Sequence, residues 1–242
     1  KKTFFQGVCT ALVTPFLNGE INYPMMEQLL KRQLDAGIKA VVITGTTGEA
    51  STLTDQEKLQ MYHRAKSYVG DDCLIIAGTG SNSTLQASEL SYEAQVEGVD
   101  GLLLVSPYYN KATPDGLCSH YLTIAQRIDI PIILYNVPGR TGVDIPLSVY
   151  RRLAQHPNIA GVKEASRDLT KITKICSNCA EFDVWSGNDD LVVPAMSVGA
   201  QGVISVLSNV LPVETRAMTE AMLAGDLDTA TSLQQQLQPL ID

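Results

Sequence analysis

Positive charge is scarce in this chain. Lysine and arginine total 18 against 26 aspartates and glutamates, a formal charge of −8. That balance argues against nucleic acid or an anionic membrane surface, both of which need clustered cations. Histidine is scarcer still: His63, His120 and His156 stand far apart, without the spacing of metal ligands. Five cysteines, an odd and scattered set, make no disulfide framework and read as reduced thiols of a cytoplasmic protein. Cys176 and Cys179 form a lone CxxC on an expected helix, whereas a structural zinc site needs a second ligand pair. No apolar run approaches the roughly 20 residues that span a bilayer. The stretch from Val8 to Phe16, behind Lys1 and Lys2, superficially resembles a secretory signal. Pro15 interrupts it and no small-residue cleavage site follows, so it reads as a first strand. These deficits leave room for a small anionic metabolite, which a few local cations can hold.

What the chain does have is rhythm. Its 242 residues, 45% hydrophobic and 18% charged, suit one soluble globular domain, and α/β barrels of roughly this length commonly form one. Apolar strand candidates recur at Val8–Val13, Ala40–Thr44, Leu74–Ala77, Gly101–Val105, Pro131–Tyr135, Gly161–Glu164, Asp183–Ser186 and Gly202–Val206. Ala40 to Ile43 and Ile130 to Leu134 are apolar throughout, as strands covered on both faces are. Helical segments fall between them. Met26, Leu29, Leu30 and Leu34 make a stripe that Gly37 ends, and Thr54 with Glu57 forms a capping box. Ser83 with Gln86 opens the next helix in the same way, while Pro114 and Pro146 suit first turns. Eight such units predict a closed (β/α)8 TIM barrel over residues 1–225. Residues 226–242 read as one further helix.

In such barrels the chemistry sits at the C-terminal ends of the strands. The polar residues of this chain cluster there. Gly45-Thr46-Thr47-Gly48 follows strand 2, and Ser106-Pro107-Tyr108-Tyr109-Asn110 follows strand 4. Tyr135-Asn136-Val137-Pro138-Gly139-Arg140-Thr141 follows strand 5, Lys163 and Glu164 end strand 6, and Gly187-Asn188-Asp189 follows strand 7. A lysine at a strand end either snorkels its charge to solvent or holds its amine in a low-dielectric pocket. An amine of the second kind attacks ketones and forms Schiff bases. The convergence of hydroxyls and an arginine favours the second reading. Other motifs stay open on pattern alone. Gly45 to Gly48 is a tight turn or a carboxylate holder. Tyr108 and Tyr109 pack or act, and Arg140 is a solvated cation or a carboxylate clamp. Asp189 and Asp190 read as a helix N-cap and first-turn acid. Glu164 points away from the face of Lys163.

These motifs, with Val162-Lys163-Glu164-Ala165 and Gly202-Val203-Ile204-Ser205, resemble the dihydrodipicolinate synthase / N-acetylneuraminate lyase family. The resemblance covers essentially the whole chain, and Gly139-Arg140-Thr141-Gly142 favours the dihydrodipicolinate synthase branch. It implies a Schiff base between Lys163 and pyruvate, then condensation with aspartate-4-semialdehyde to give 4-hydroxy-tetrahydrodipicolinate, on the diaminopimelate route to lysine. Tyr135, Thr46 and Tyr109 would form the proton relay, Tyr109 from a neighbouring subunit. Thr47 would bind the pyruvate carboxylate, Arg140 the carboxylate of the aldehyde substrate, and Gly187 and Ile204 would line the pocket. The resemblance also implies no cofactor, no metal, a cytoplasmic location and a homodimer or homotetramer.

Two departures from the family pattern stand out. Many members are inhibited by lysine at a dimer-interface site. Asn82 and Tyr108 match that site, but Gln86 replaces its acidic residue, and Asp55 and Lys58 stand where sensitive enzymes often have histidine. Lysine inhibition is therefore expected to be weak or absent. Family chains also continue several dozen residues past the position of Asp242, so residues 226–242 read as the start of a truncated helical extension. The competing readings are a lyase of sialic acid or a 2-keto-3-deoxy sugar acid, and a non-catalytic barrel scaffold.

Overall fold

The computed structural model describes residues 2–241. Eight parallel strands close into a barrel: β1 (Gly7–Ala11), β2 (Ala40–Ile43), β3 (Leu74–Gly78), β4 (Gly101–Val105), β5 (Ile132–Asn136), β6 (Ile159–Glu164), β7 (Asp183–Ser186) and β8 (Gly202–Ser205). Each strand pairs with its sequence neighbours, and β8 closes the ring on β1 through Gly7↔Gly202 to Thr10↔Ser205. The helices α1 (Tyr23–Asp35), α2 (Asp55–Val69), α3 (Thr84–Val96), α4 (Pro114–Ala125), α5 (Leu147–Leu153), α6 (Leu169–Asn178), α7 (Val192–Ser197) and α8 (Pro212–Ala224) follow the eight strands in turn. This is the expected TIM barrel, with strand ends within two residues of those read from the sequence.

Alternation along the strands sorts the apolar side chains into two cores. Val41, Ile43, Ile132, Leu134 and Val162 point outward against the helices. Val42, Ile76, Leu103, Ile133 and Ile204 fill the barrel interior. Phe5 closes the N-terminal end, stacked at 4.6 Å on Trp185, whose indole N–H donates to the Phe5 carbonyl at 3.2 Å. With that end plugged by aromatics, open space is left to the opposite end, where the loops lie.

The local signals act as anticipated. The Thr54 hydroxyl accepts from the Glu57 N–H while the Glu57 carboxylate accepts from the Thr54 N–H. Ser83 caps α3, and Gly37 takes the left-handed φ of 78° after α1. Not anticipated is a small hairpin after β1, with Phe16–Leu17 paired to Glu20–Ile21 across Asn18 and Gly19, both at positive φ. A final helix, α9 (Leu227–Ile241), packs on α7 and α8. Among the described residues, no helix is long and apolar enough to cross a membrane. Nor do three His, Cys, Asp or Glu residues among them gather as a metal site.

Candidate active site

Lys163 faces into the barrel from the tip of β6. It is 4% exposed, so the reading of a charge carried out to solvent is set aside. Its Cα partners are Tyr135 on β5 and Trp185 on β7, and its amine nitrogen lies 4.6 Å from the centre of the Tyr135 ring. Burial is the main reason its pKa falls from 10.5 to about 8. The nearby Arg140 guanidinium adds to that fall, and the Asp189 carboxylate opposes it. Cys9, inside the same barrel core, would also favour the ammonium if ionised, but burial pushes its thiol well up and keeps it neutral. With a pKa of about 8, about one amine in ten is neutral at pH 7, against one in a few thousand for an ordinary lysine.

Tyr135 is buried beside this amine. Burial raises its pKa, while Arg140 and a hydrogen bond with Thr46 hold it partly down. A phenol that keeps its proton at neutral pH, linked to an exposed threonine hydroxyl, is a suitable proton carrier. Thr46 is placed by the sharp turn leaving β2. Thr44 there adopts a φ of 54°, with its hydroxyl 2.6 Å from the Tyr62 hydroxyl and donating to the Gly78 carbonyl at 3.2 Å. Thr47 follows, half-buried on the same turn.

A cavity of about 580 Å³ opens at this end of the barrel, with Thr46, Val137 and Arg140 on its wall. Lys163 is not on that wall; it lies deeper, inside the barrel. Arg140 sits exposed on a one-turn helix, Pro138–Thr141. Gly187 touches the lysine from β7's exit: a Cβ there would come within 3.1 Å of Lys163 Cε and 2.6 Å of Ala165 Cβ. Ile204 is fully buried in the inner core.

Tyr109 does not join this group. It is 89% exposed, held at a φ of 72°, with its N–H donating to the Thr141 carbonyl at 3.2 Å. Packing within the chain is thereby set aside for Tyr109, whereas Tyr108, 40% exposed, is partly covered and lines the cavity. The residues matched to the lysine-inhibition site do gather, and Asp55, Lys58, Gln86 and Tyr108 line the same cavity. Lys58 pairs with Asp55 at 2.9 Å, and the Gln86 amide donates to Asp55 at 3.4 Å and accepts from Ser81 at 2.9 Å. Asn82 donates to the Tyr108 carbonyl at 3.3 Å.

Asp189 departs from its expected role. It lies in a short 3-10 turn, and its carboxylate accepts from the N–H groups of Val206 and Leu207 at 2.9 and 3.0 Å. It therefore caps the turn after β8 rather than a helix of its own. Its carbonyl accepts from Gln234 of α9 at 3.0 Å, so the last helix braces this corner of the site. Sequence reasoning missed that bridge, and also Cys9 beneath the lysine, because both depend on contacts far apart in the chain.

The model of the dihydrodipicolinate synthetase family matches residues 4–242. Over 239 residues the chain is 46% identical to the 4-hydroxy-tetrahydrodipicolinate synthase of Exiguobacterium sibiricum, covering 98% of this chain and 82% of that protein. Its backbone is similar to the crystal structure of dihydrodipicolinate synthase from Aquifex aeolicus, with a TM-score of 0.97 and 41% identity over 98% of this chain and 82% of that one. It is likewise similar to the chloride-inhibited dihydrodipicolinate synthase of Acinetobacter baumannii complexed with pyruvate, with a TM-score of 0.95 and 40% identity, covering 97% and 81%.

Proposed function

The chain belongs to the dihydrodipicolinate synthetase family, and from that premise we propose a Schiff-base mechanism centred on Lys163. The enzyme is a lyase that condenses pyruvate with aspartate-4-semialdehyde to give 4-hydroxy-tetrahydrodipicolinate, the product for which its relatives are named. The observation that carries the mechanism is the buried Lys163 amine beside Tyr135, with its pKa down to about 8.

The neutral amine adds to the keto carbon of pyruvate, and proton transfers through Tyr135 let the carbinolamine lose water. The resulting iminium draws electrons from the methyl carbon, which loses a proton to give the enamine. The enamine carbon attacks the aldehyde, and a proton returned to the new alkoxide makes the hydroxyl. Attack of the substrate's own amine on the imine carbon closes the ring and frees Lys163. The iminium is the electron sink, so the reading requires no cofactor and no metal.

Thr46 extends the relay from Tyr135 towards the exposed rim. Thr47 suits the pyruvate carboxylate, with its hydroxyl and the backbone N–H groups of the β2 turn. Arg140 suits the second carboxylate, because a guanidinium at a cavity wall makes charge-assisted bonds that position an anion. Gly187 and Ile204 set the space around the lysine. Tyr109 would complete the relay of a second copy of the chain. Its projection away from its own barrel supports that assignment, and with it a homodimer or larger assembly. A cytoplasmic location accords with cysteines that are all free thiols.

Steady-state assays with pyruvate plus aspartate-4-semialdehyde, against cleavage of N-acetylneuraminate, test the substrate. Turnover of the first alone is expected; turnover of the second alone would overturn the reading.

A further inference from the structure

The tips of β5 and β6 carry two register pairs back to back, Tyr135 with Lys163 and Asn136 with Glu164. The first pair faces the barrel interior. Alternation turns the second pair outward, yet both members are buried, Asn136 fully and Glu164 to 1% exposure. A carboxylate removed from water is costly unless donors converge on it. Here they do. The Asn136 amide donates to the two Glu164 oxygens at 2.9 and 3.1 Å, the Tyr150 hydroxyl donates at 3.1 Å, and the Ser166 N–H at 2.9 Å.

Asn136 is engaged on its other side as well. Its oxygen accepts from the Ile145 N–H at 3.0 Å, and its amide donates to Asp144 at 2.9 Å. Lys171 is ion-paired with Asp144 and stands 5.8 Å from the centre of the Tyr150 ring, so a cation borders the cluster. The cluster thus joins three segments. Ser166 leads out of β6, Tyr150 belongs to α5, and Asp144 and Ile145 close the loop that carries Arg140. The Glu164 carbonyl also accepts from the Gly187 N–H at 2.8 Å, next to the lysine side chain.

Buried ionic groups are poor sources of stability, since well-packed apolar residues often serve as well. A fully bonded polar pair instead specifies one geometry, because each hydrogen bond has a direction. We infer that Asn136 and Glu164 are positioning residues for the reaction, holding Lys163 against Tyr135 and fixing the Arg140 loop without touching substrate. The inference rests on the reading of Lys163 as the Schiff-base amine. Glu164→Gln keeps the side-chain shape but turns an acceptor oxygen into a donor facing the Asn136 amide. Tyr150→Phe removes one donor and keeps the ring.

The test measures kcat, KM for pyruvate and the rate of borohydride-trapped pyruvate adduct on folded protein, with melting temperature recorded alongside. Glu164→Gln is expected to lower kcat and the trapping rate roughly ten- to a hundred-fold, the scale of a misplaced reacting group. KM for pyruvate should move much less. Tyr150→Phe should act in the same direction and more weakly, and it decides the matter alone if Glu164→Gln does not fold. Variants that melt earlier but turn over and trap at the wild-type rate would overturn the inference. A wild-type protein that traps no pyruvate would overturn the Lys163 reading with it, so the two failures are distinct.

Discussion

Lys163 and Tyr135 are Cα partners on adjacent strands, and burial moves the two side chains in opposite directions. It lowers the lysine to a pKa of about 8 and raises the tyrosine, because in each case the charged form is the one that burial disfavours. At pH 7 the pair therefore offers an amine that is free in about one molecule in ten and an intact phenol, a nucleophile and a proton donor 4.6 Å apart measured to the ring centre. One environment prepares both partners of the first step.

The same burial should weaken the fold. The folded-state pKa of about 8 lies below the ordinary 10.5, so between those values the unfolded chain binds more protons than the folded one. Stability then rises with pH across that window, and the full cost applies below pH 8. Lys163→Met removes the charge and should stabilise the protein at pH 7 by up to about 3 kcal/mol, a gain that shrinks towards pH 10. Urea denaturation at the two pH values checks this. A variant no more stable than wild type at pH 7 would count against a buried amine.

Gly187→Ala places a methyl 3.1 Å from Lys163 Cε and 2.6 Å from Ala165 Cβ, with Ala165 Cα at 3.3 Å. The tighter contact is with Ala165, two residues after Lys163, so relieving it displaces the exit of β6 along with the lysine side chain. The expected result is a fall in kcat of roughly ten-fold or more, with the protein still folded. Near wild-type turnover would show that the amine tolerates displacement.

Much of this was legible from the sequence, and the omissions have causes. Ala40 to Ile43 announced a covered strand because both its faces are buried, and its observed range is Ala40–Ile43. Lys163 was legible as a polar residue ending an apolar run. The hairpin at Phe16–Leu17 and Glu20–Ile21 did carry a signal, Asn18-Gly19, which permits two successive positive φ values. Its strands are too short to show alternation. Asp189 was read from its immediate neighbours as a local cap, whereas its carboxylate serves N–H groups seventeen and eighteen residues on. Nothing local announces that. The Asn136–Glu164 bond was invisible for the same reason: alternation says where Glu164 points, but only the fold shows what meets it.

Feedback by lysine should be weak. On the outer wall of the cavity the Lys58 ammonium already pairs with Asp55 at 2.9 Å, and Gln86 spends its amide on Asp55 and Ser81. An incoming ammonium group would meet a resident cation and acceptors already in use. Titration should show little inhibition by millimolar lysine. Strong inhibition below one millimolar would require this cluster to rearrange.

The most direct measurement of the central claim is mass spectrometry after treatment with pyruvate and borohydride, repeated across pH. The account predicts a single pyruvate-derived adduct on Lys163, absent in Lys163→Ala, whose rate of formation rises with pH to a midpoint of about 8. An adduct on another residue, or a midpoint near that of a free lysine, would contradict it.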